Sequence, residues 1–153
     1  MKQRRTQPTP TAPDATDTSA ASKAVLVLIV DDFADNREMY TQFLEFSGFR
    51  VAEAQNGHEA LEKAFALRPD LIVMDLSLPG LDGWEATRRL KADDRTRTTP
   101  VIALTGHALA GHSKGAMDAG CDAFITKPCL PERLLEEIKS MLKGRPDIPE
   151  RGR

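Results

Sequence analysis

The chain has 153 residues, a formal net charge of −2 and a sequence pI near 5.9. That length holds one domain of ordinary size and excludes a second with its own core. Hydrophobic residues at 41% and charged residues at 29% match a soluble globular protein, and aromatics at 5% leave the core to aliphatic side chains. The charge is uneven: residues 1–23 carry +2, residues 144–153 carry +1, and residues 24–143 carry −5. An acidic body argues against a nucleic-acid partner, because neutralising phosphates needs clustered Lys and Arg. Cys121 and Cys129 have neither the spacing nor the accompanying His of a zinc site, and read as core thiols of a reducing cytoplasm. The longest apolar run, Ala24–Val30, is far short of the ~20 residues of a membrane span. Lys2, Arg4 and Arg5 precede no apolar segment, so the start does not read as a secretory signal.

Residues 1–23 are dominated by Thr, Pro, Ala, Ser and Asp and read as a disordered tail. Ala24–Val30 has the pattern of a buried strand. Asp35–Ser47 is helical, with Met39, Tyr40, Phe43 and Leu44 on one face, and Gly48 ends it. Arg50–Ala54 is a weaker second strand. Asn56 caps a helix running to about Leu67, with Ala60, Leu61, Ala64 and Phe65 inward. Leu71–Met74 is a third strand. Asp82–Lys91 is a helix carrying Trp84, Thr87 and Leu90. Val101–Leu104 is a fourth strand, and Ala108–Ala119 is a helix ended by Gly120. Ala123–Thr126 is a fifth strand. Pro131–Leu142 is the last helix, with Leu134, Leu135, Ile138 and Leu142 inward, and residues 144–153 form a C-terminal tail.

This is a strand–helix unit repeated five times. Continuous aliphatic strands indicate a parallel sheet covered on both faces. Right-handed crossovers make it a doubly wound α/β fold over 24–143. In such folds the functional edge lies at the carboxyl ends of the strands, where strand order reverses. Asp31 and Asp32 follow strand 1, Asp75 follows strand 3, Thr105 and Gly106 follow strand 4, and Lys127 with Pro128 follows strand 5.

Three carboxylates packed together repel one another and raise each other's pKa values. A hard divalent cation removes the conflict, and Mg²⁺ suits carboxylate and phosphate oxygens. Lys127 cannot ligate Mg²⁺, but its ammonium suits an anionic oxygen brought by a substrate. Thr105 can donate to the same anion. The set fits a phosphoryl group on or near a carboxylate, where catalysis is mostly positioning and charge stabilisation.

The strings VLIVDDFADNREM (27–39), LIVMDLSLPGLDGWE (71–85), VIALTGHA (101–108) and AGCDAFITKPCLPERL (119–134) closely resemble the receiver domain of bacterial two-component response regulators. The resemblance covers essentially all of 24–143. It implies a five-stranded, flavodoxin-like receiver fold of the stand-alone chemotaxis type. It implies that Asp75 is the phosphoacceptor, attacking a phosphohistidine on a sensor kinase or phosphotransfer protein. It implies that Asp32 and Asp75 bind Mg²⁺ directly, Asp31 through water, and the main-chain carbonyl of Ser77 as a further ligand. Lys127 would pair with phosphoryl oxygens, and Thr105 with Phe124 would form the conformational switch. The Lys127–Pro128 bond is expected to be cis. The output would pass to a partner protein through the face formed by the Ala108–Ala119 helix, the fifth strand and the last helix. The receiver would be cytoplasmic, a monomer or weak dimer, with no membrane partner, and no enzyme beyond its own phosphorylation and dephosphorylation.

Some positions depart from the family pattern. Phe124 stands where Tyr is frequent, Gly106 where Ala is common, and Ser77 and His107 at variable positions flanking the attacking water. Trp84 reads as a packing residue, His58 and His112 as solvated, and Pro79, Gly80, Asp82 and Gly83 as a turn and helix start. Arg88, Arg89, Lys91, Arg95 and Arg97 read as a solvated basic face. Competing readings are a Mg²⁺-dependent aspartyl-phosphate phosphatase on small molecules, a flavodoxin-like mononucleotide binder, and a phosphorelay fragment of a hybrid histidine kinase. The first usually has a second Asp where Ser77 stands. The second wants a Ser/Thr/Gly-rich phosphate loop where this chain has VDDFADN.

Overall fold

A computed structural model describes residues 24–76, 83–106 and 119–143. In chain order the elements are β1 (Leu26–Val30), α1 (Ala34–Phe46), β2 (Arg50–Ala54), α2 (Gly57–Leu67), β3 (Leu71–Asp75), α3 (Gly83–Ala92), β4 (Val101–Thr105), β5 (Ala123–Thr126) and α4 (Pro131–Met141). The strands form one parallel sheet in the order β2-β1-β3-β4-β5. Strand order reverses between β1 and β3, which opens a crevice at their carboxyl ends. Asp75 and Thr105 are the last residues of β3 and β4 rather than the first beyond them. The expected Ala108–Ala119 helix lies outside the described residues up to 118, as do both tails, Ser77, Pro79, Gly80, Asp82, His107 and His112.

Side chains alternate across the sheet, and the two faces carry separate cores. Val27, Ile29, Leu71, Val73, Ile102, Leu104 and Ile125 meet Tyr40 and Leu44 of α1 and Leu134, Leu135 and Ile138 of α4. Leu28, Val30, Ile72, Met74, Val101 and Ala103 meet Ala60 and Ala64 of α2 and Ala86 and Leu90 of α3. The small alanines on the second face let α2 and α3 approach the sheet closely. The central strands β1, β3 and β4 are buried throughout, which is why their sequences are continuously aliphatic. β2 and β5 are edge strands and are partly exposed.

Local chemistry sets the helix ends. The Asn56 side chain accepts from the Glu59 N–H at 2.8 Å and caps α2, while the Glu59 carboxylate accepts from Gln55 N–H at 2.8 Å. Gly48 takes φ 103°, a left-handed conformation that closes α1. Two inter-element carboxylates tie strand starts: Asp70 Oδ2 accepts from Leu26 N–H, and Asp122 Oδ2 from Val101 N–H.

Two expectations are corrected. Met39 is 40% exposed rather than inward, because Tyr40 and Leu44 hold the centre of the buried stripe and Met39 falls to its side, at the mouth of a cavity. Lys91 is not solvated with the other basic residues. Its ammonium donates to the Thr99 carbonyl at 2.7 Å and pairs with Asp122 at 3.0 Å. The rest of the run is exposed and paired locally: Arg88 and Arg89 with Glu85, Arg95 with Asp93, and Arg97 with Asp94. The Arg95 guanidinium also lies 4.0 Å from the centre of the Phe65 ring, pinning the segment after α3 to α2.

Candidate functional site

Strand parity and strand order build the site together. Asp31, Asp75 and Lys127 continue the alternation of Ile29, Val73 and Ile125, so all three start from the α1/α4 face of the sheet. β1 and β3 are neighbours, with Val30 opposite Met74, so the next residues on each strand are close. Asp31, Asp32 and Asp75 each place a carboxylate oxygen within 4.8 Å of the others. Lys127 Nζ lies 3.1 Å from Asp75 Oδ2 and 4.0 Å from Asp31 Oδ2. Residues 44 and 52 positions from Asp75 thus share one crevice with it.

Asp31 and Asp75 are buried, and Asp32 is exposed at the crevice rim. Burial pushes the Asp31 carboxyl above the ordinary carboxylate range, and the neighbouring charges of Asp75 and Asp32 push the same way. The Phe33 N–H, 2.8 Å from Asp31 Oδ1, and the Lys127 ammonium pull it back. Asp31 Oδ2 is buried and has no hydrogen-bond partner among the described residues. A buried carboxylate oxygen that has only an ammonium 4.0 Å away and no hydrogen bond, inside a three-carboxylate cluster, is a costly arrangement for a protein to keep by itself. It fits a hard divalent cation that takes oxygen ligands and tolerates solvent on one side, as Asp32 allows.

Thr105 ends β4 and is buried. Its carbonyl accepts from the Lys127 N–H at 2.7 Å, so the two residues are joined through the backbone. The Lys127–Pro128 bond is cis, as expected. Phe124 is not among the clustered side chains: it is 37% exposed on β5 and lines a separate surface hollow with Pro128, Leu130 and Arg133. A cavity of about 480 Å³ opens beside the cluster, lined by Asn36, Met39, Tyr40, Gly106, Lys127 and Leu130 among others. Tyr40 OH closes its floor by donating to the Cys129 carbonyl at 2.7 Å.

A family model for the response regulator receiver domain matches residues 27–139. The chain belongs to this family. It is 43% identical over 116 residues to the polar-differentiation response regulator DivK of Brucella anthropi, covering 76% of this chain and 94% of that protein. It is 40% identical over the same length to DivK of Brucella ovis. Among solved structures it resembles the chemotaxis protein CheY4 of Vibrio cholerae, with TM-score 0.74 and 30% identity, covering 76% of this chain and 98% of that one. It also resembles the receiver domain of the sensor histidine kinase PA1611 of Pseudomonas aeruginosa, with TM-score 0.71 and 33% identity over 76% of this chain and 96% of that one. That structure holds a magnesium ion in its active-site cleft. The receiver is the phosphoacceptor of a two-component system, and neither the small-molecule phosphatase nor the mononucleotide-binder reading finds support. Receivers of this family work with histidine kinases or phosphotransfer proteins and with effectors. No helix among the described residues is long and apolar enough to cross a membrane.

Sequence reasoning passed over Arg37 and Glu53. Arg37 Nη1 donates to the Asp31 carbonyl at 2.8 Å, and its Nε pairs with Glu53 at 2.9 Å. The only signal was an arginine one helical turn into α1, which is common and points nowhere by itself.

Proposed function

We propose that Asp75 accepts the phosphoryl group, that Asp31, Asp32 and Asp75 hold the Mg²⁺ it needs, and that Lys127 and Thr105 receive the phosphoryl oxygens. The observation that carries this reading is the contact of Lys127 with Asp75 inside the three-carboxylate cluster. When bound, Mg²⁺ supplies positive charge against both the acidic cluster and the transferring phosphoryl group. Asp75 presents a carboxylate oxygen to the phosphorus of a phosphohistidine. The new P–O bond forms as the P–N bond breaks, and the imidazole leaves and takes up a proton. Lys127 holds its ammonium where negative charge accumulates on the phosphoryl oxygens. The backbone bond from Lys127 N–H to Thr105 fixes the spacing of the two groups. Ser77, expected to add a carbonyl ligand, lies outside the described residues.

Phosphorylation then biases the Thr105 and Phe124 side chains and the partner surface beside β5. The chain catalyses its own phosphorylation and dephosphorylation and turns over no other substrate. Its phosphodonor is a sensor kinase or phosphotransfer protein, and its output is contact with an effector protein in the cytoplasm. The match across nearly the whole length of DivK supports a single-domain response regulator.

Incubation with Mg²⁺ and acetyl phosphate is expected to add one phosphoryl group, detected by intact mass. Asp75→Asn is expected to abolish it; persistent labelling in that variant rejects Asp75 as acceptor. Mg²⁺ at millimolar concentration raises the melting temperature by linkage, and an unchanged value rejects the acidic pocket as its site.

A further inference from the structure

Three bonds fix Asp31. Its N–H donates to the Ala54 carbonyl at 3.0 Å, extending the β1–β2 ladder by one step. Its Oδ1 accepts from the Phe33 N–H at 2.8 Å. Its main-chain carbonyl accepts from Arg37 Nη1 at 2.8 Å. Among the described residues, Oδ2 has no hydrogen-bond partner.

The third bond has the widest reach. The Asp31 carbonyl belongs to the peptide that joins Asp31 to Asp32, and a peptide is a rigid plane. A group that holds this oxygen sets the orientation of the plane, and with it the relative aim of two adjacent carboxylates. Arg37 is itself anchored. Its Nε donates to Glu53 Oε1 at 2.9 Å, and the Glu53 carbonyl accepts from the Lys63 ammonium. Its backbone N–H bonds the Phe33 carbonyl at 3.1 Å, so the residue grips the β1–α1 turn at both ends. The fork of the guanidinium suits this double task, one arm to a carboxylate and one to a carbonyl.

Stability alone is a weak reason for the arrangement. The Arg37 and Glu53 side chains are 17% and 36% exposed, and an ion pair that still meets water stabilises a fold only modestly. Metal sites, in contrast, are sensitive to the groups that orient their ligands.

We infer that Arg37 is a positioning residue for the acidic cluster: anchored on Glu53, it holds the Asp31–Asp32 peptide so that both carboxylates meet one cation. The inference rests on the proposal that these carboxylates bind Mg²⁺. It concerns a residue that touches neither metal nor phosphoryl group.

The test uses the full chain and measures Mg²⁺ affinity by calorimetry, the metal-free melting temperature, and acetyl phosphate labelling rates across a Mg²⁺ titration. Arg37→Met keeps the aliphatic stem and removes both donors. It is expected to weaken Mg²⁺ binding about tenfold or more. The labelling rate should recover to the wild-type maximum at saturating Mg²⁺, since Asp75 and Lys127 are untouched. Glu53→Ala, which frees the anchor, should shift affinity the same way by less. Glu53→Gln keeps an acceptor for Nε and should restore affinity close to wild type. Unchanged Mg²⁺ affinity in both Arg37→Met and Glu53→Ala overturns the inference, whatever the melting temperature does. If Arg37→Met does not fold, Glu53→Ala against Glu53→Gln decides alone. Failure of the wild-type chain to bind Mg²⁺ overturns the metal site itself; wild-type binding with unaffected variants overturns only the role of Arg37.

Discussion

Lys127 Nζ stands 3.1 Å from Asp75 Oδ2 and reaches toward Asp31 Oδ2 at 4.0 Å. One ammonium thus bridges two buried carboxylates from adjacent strands, with β4 lying between β5 and β3. A cation in that position does two opposed things. It stabilises the negative cluster before the reaction, and it competes with any metal for the same oxygens.

Lys127→Met separates the two effects. Loss of the ammonium should slow acetyl phosphate labelling by about 10²-fold or more, as expected when a preorganised donor to a developing charge is removed. Mg²⁺ affinity, read by calorimetry, should hold or rise, because a competing cation is gone. A fall in Mg²⁺ affinity together with an unchanged labelling rate would contradict the assigned role.

Gly83 and Gly106 make a contrasting pair. A Cβ on Gly83 would lie 2.3 Å from the Asp75 carbonyl oxygen and 2.9 Å from Leu76 Cα, both backbone atoms that cannot swing aside. Gly83→Ala should therefore destabilise by about 1–3 kcal/mol and slow phosphorylation through Asp75. A Cβ on Gly106 meets no atom of the described residues within 4 Å. Gly106→Ala should stay within about 0.5 kcal/mol of wild type. Urea unfolding of both variants checks the contrast.

The buried hydroxyl of Tyr40 donates to the Cys129 carbonyl across 89 residues of chain, tying α1 to the loop that precedes α4. Tyr40→Phe keeps the ring and orphans the carbonyl. The expected cost is about 1–3 kcal/mol, measured by denaturant unfolding. A cost near zero would mean that water replaces the phenol.

Alkaline stability should carry the signature of buried acids, Cys121 and Tyr40 foremost. Burial pushes the Cys121 thiol from 9.0 up to about 11, and burial foremost pushes the Tyr40 phenol from 10.0 up to about 12. Above pH 9 the unfolded chain gives up the Cys121 proton that the folded chain retains. Folding stability is thus whole below pH 9 and falls as pH rises toward 11, by at most about 1.4 kcal/mol per pH unit from this one group. Tyr40 adds its part between pH 10 and 12. Burial also pushes the Cys129 thiol up, so Cys121→Ala should lessen the slope between pH 9 and 11 without removing it, and leave the Tyr40 part in place. Equal slopes in the two proteins would show that the thiol titrates normally.

The strand ends were readable because each of these aliphatic runs stops abruptly at a polar residue: Asp31, Asp75, Thr105, and Thr126 just before Lys127. The Asn56 cap and the Gly48 stop were readable for the same local reason, since a cap needs a side-chain acceptor and a left-handed residue favours glycine. Met39 misled because helical periodicity marks a stripe but not its edge, and the crevice mouth begins at that edge. Lys91 misled because its partners, Thr99 and Asp122, belong to other parts of the chain.

What the sequence determined by itself is the succession of elements and the kind of group that ends each strand. Both depend on neighbours a few residues apart, so periodicity and capping carry them. Only the tertiary structure decided which ends meet. The order β2-β1-β3-β4-β5 puts Asp31 beside Asp75, and register and pleat turn both with Lys127 to one face. Burial there raises the Asp31 carboxyl and leaves Oδ2 without a hydrogen bond among the described residues. Arg37 enters in the same way: its two partners are a carbonyl just past the end of β1 and a carboxylate on β2, and no spacing along the chain brings them together.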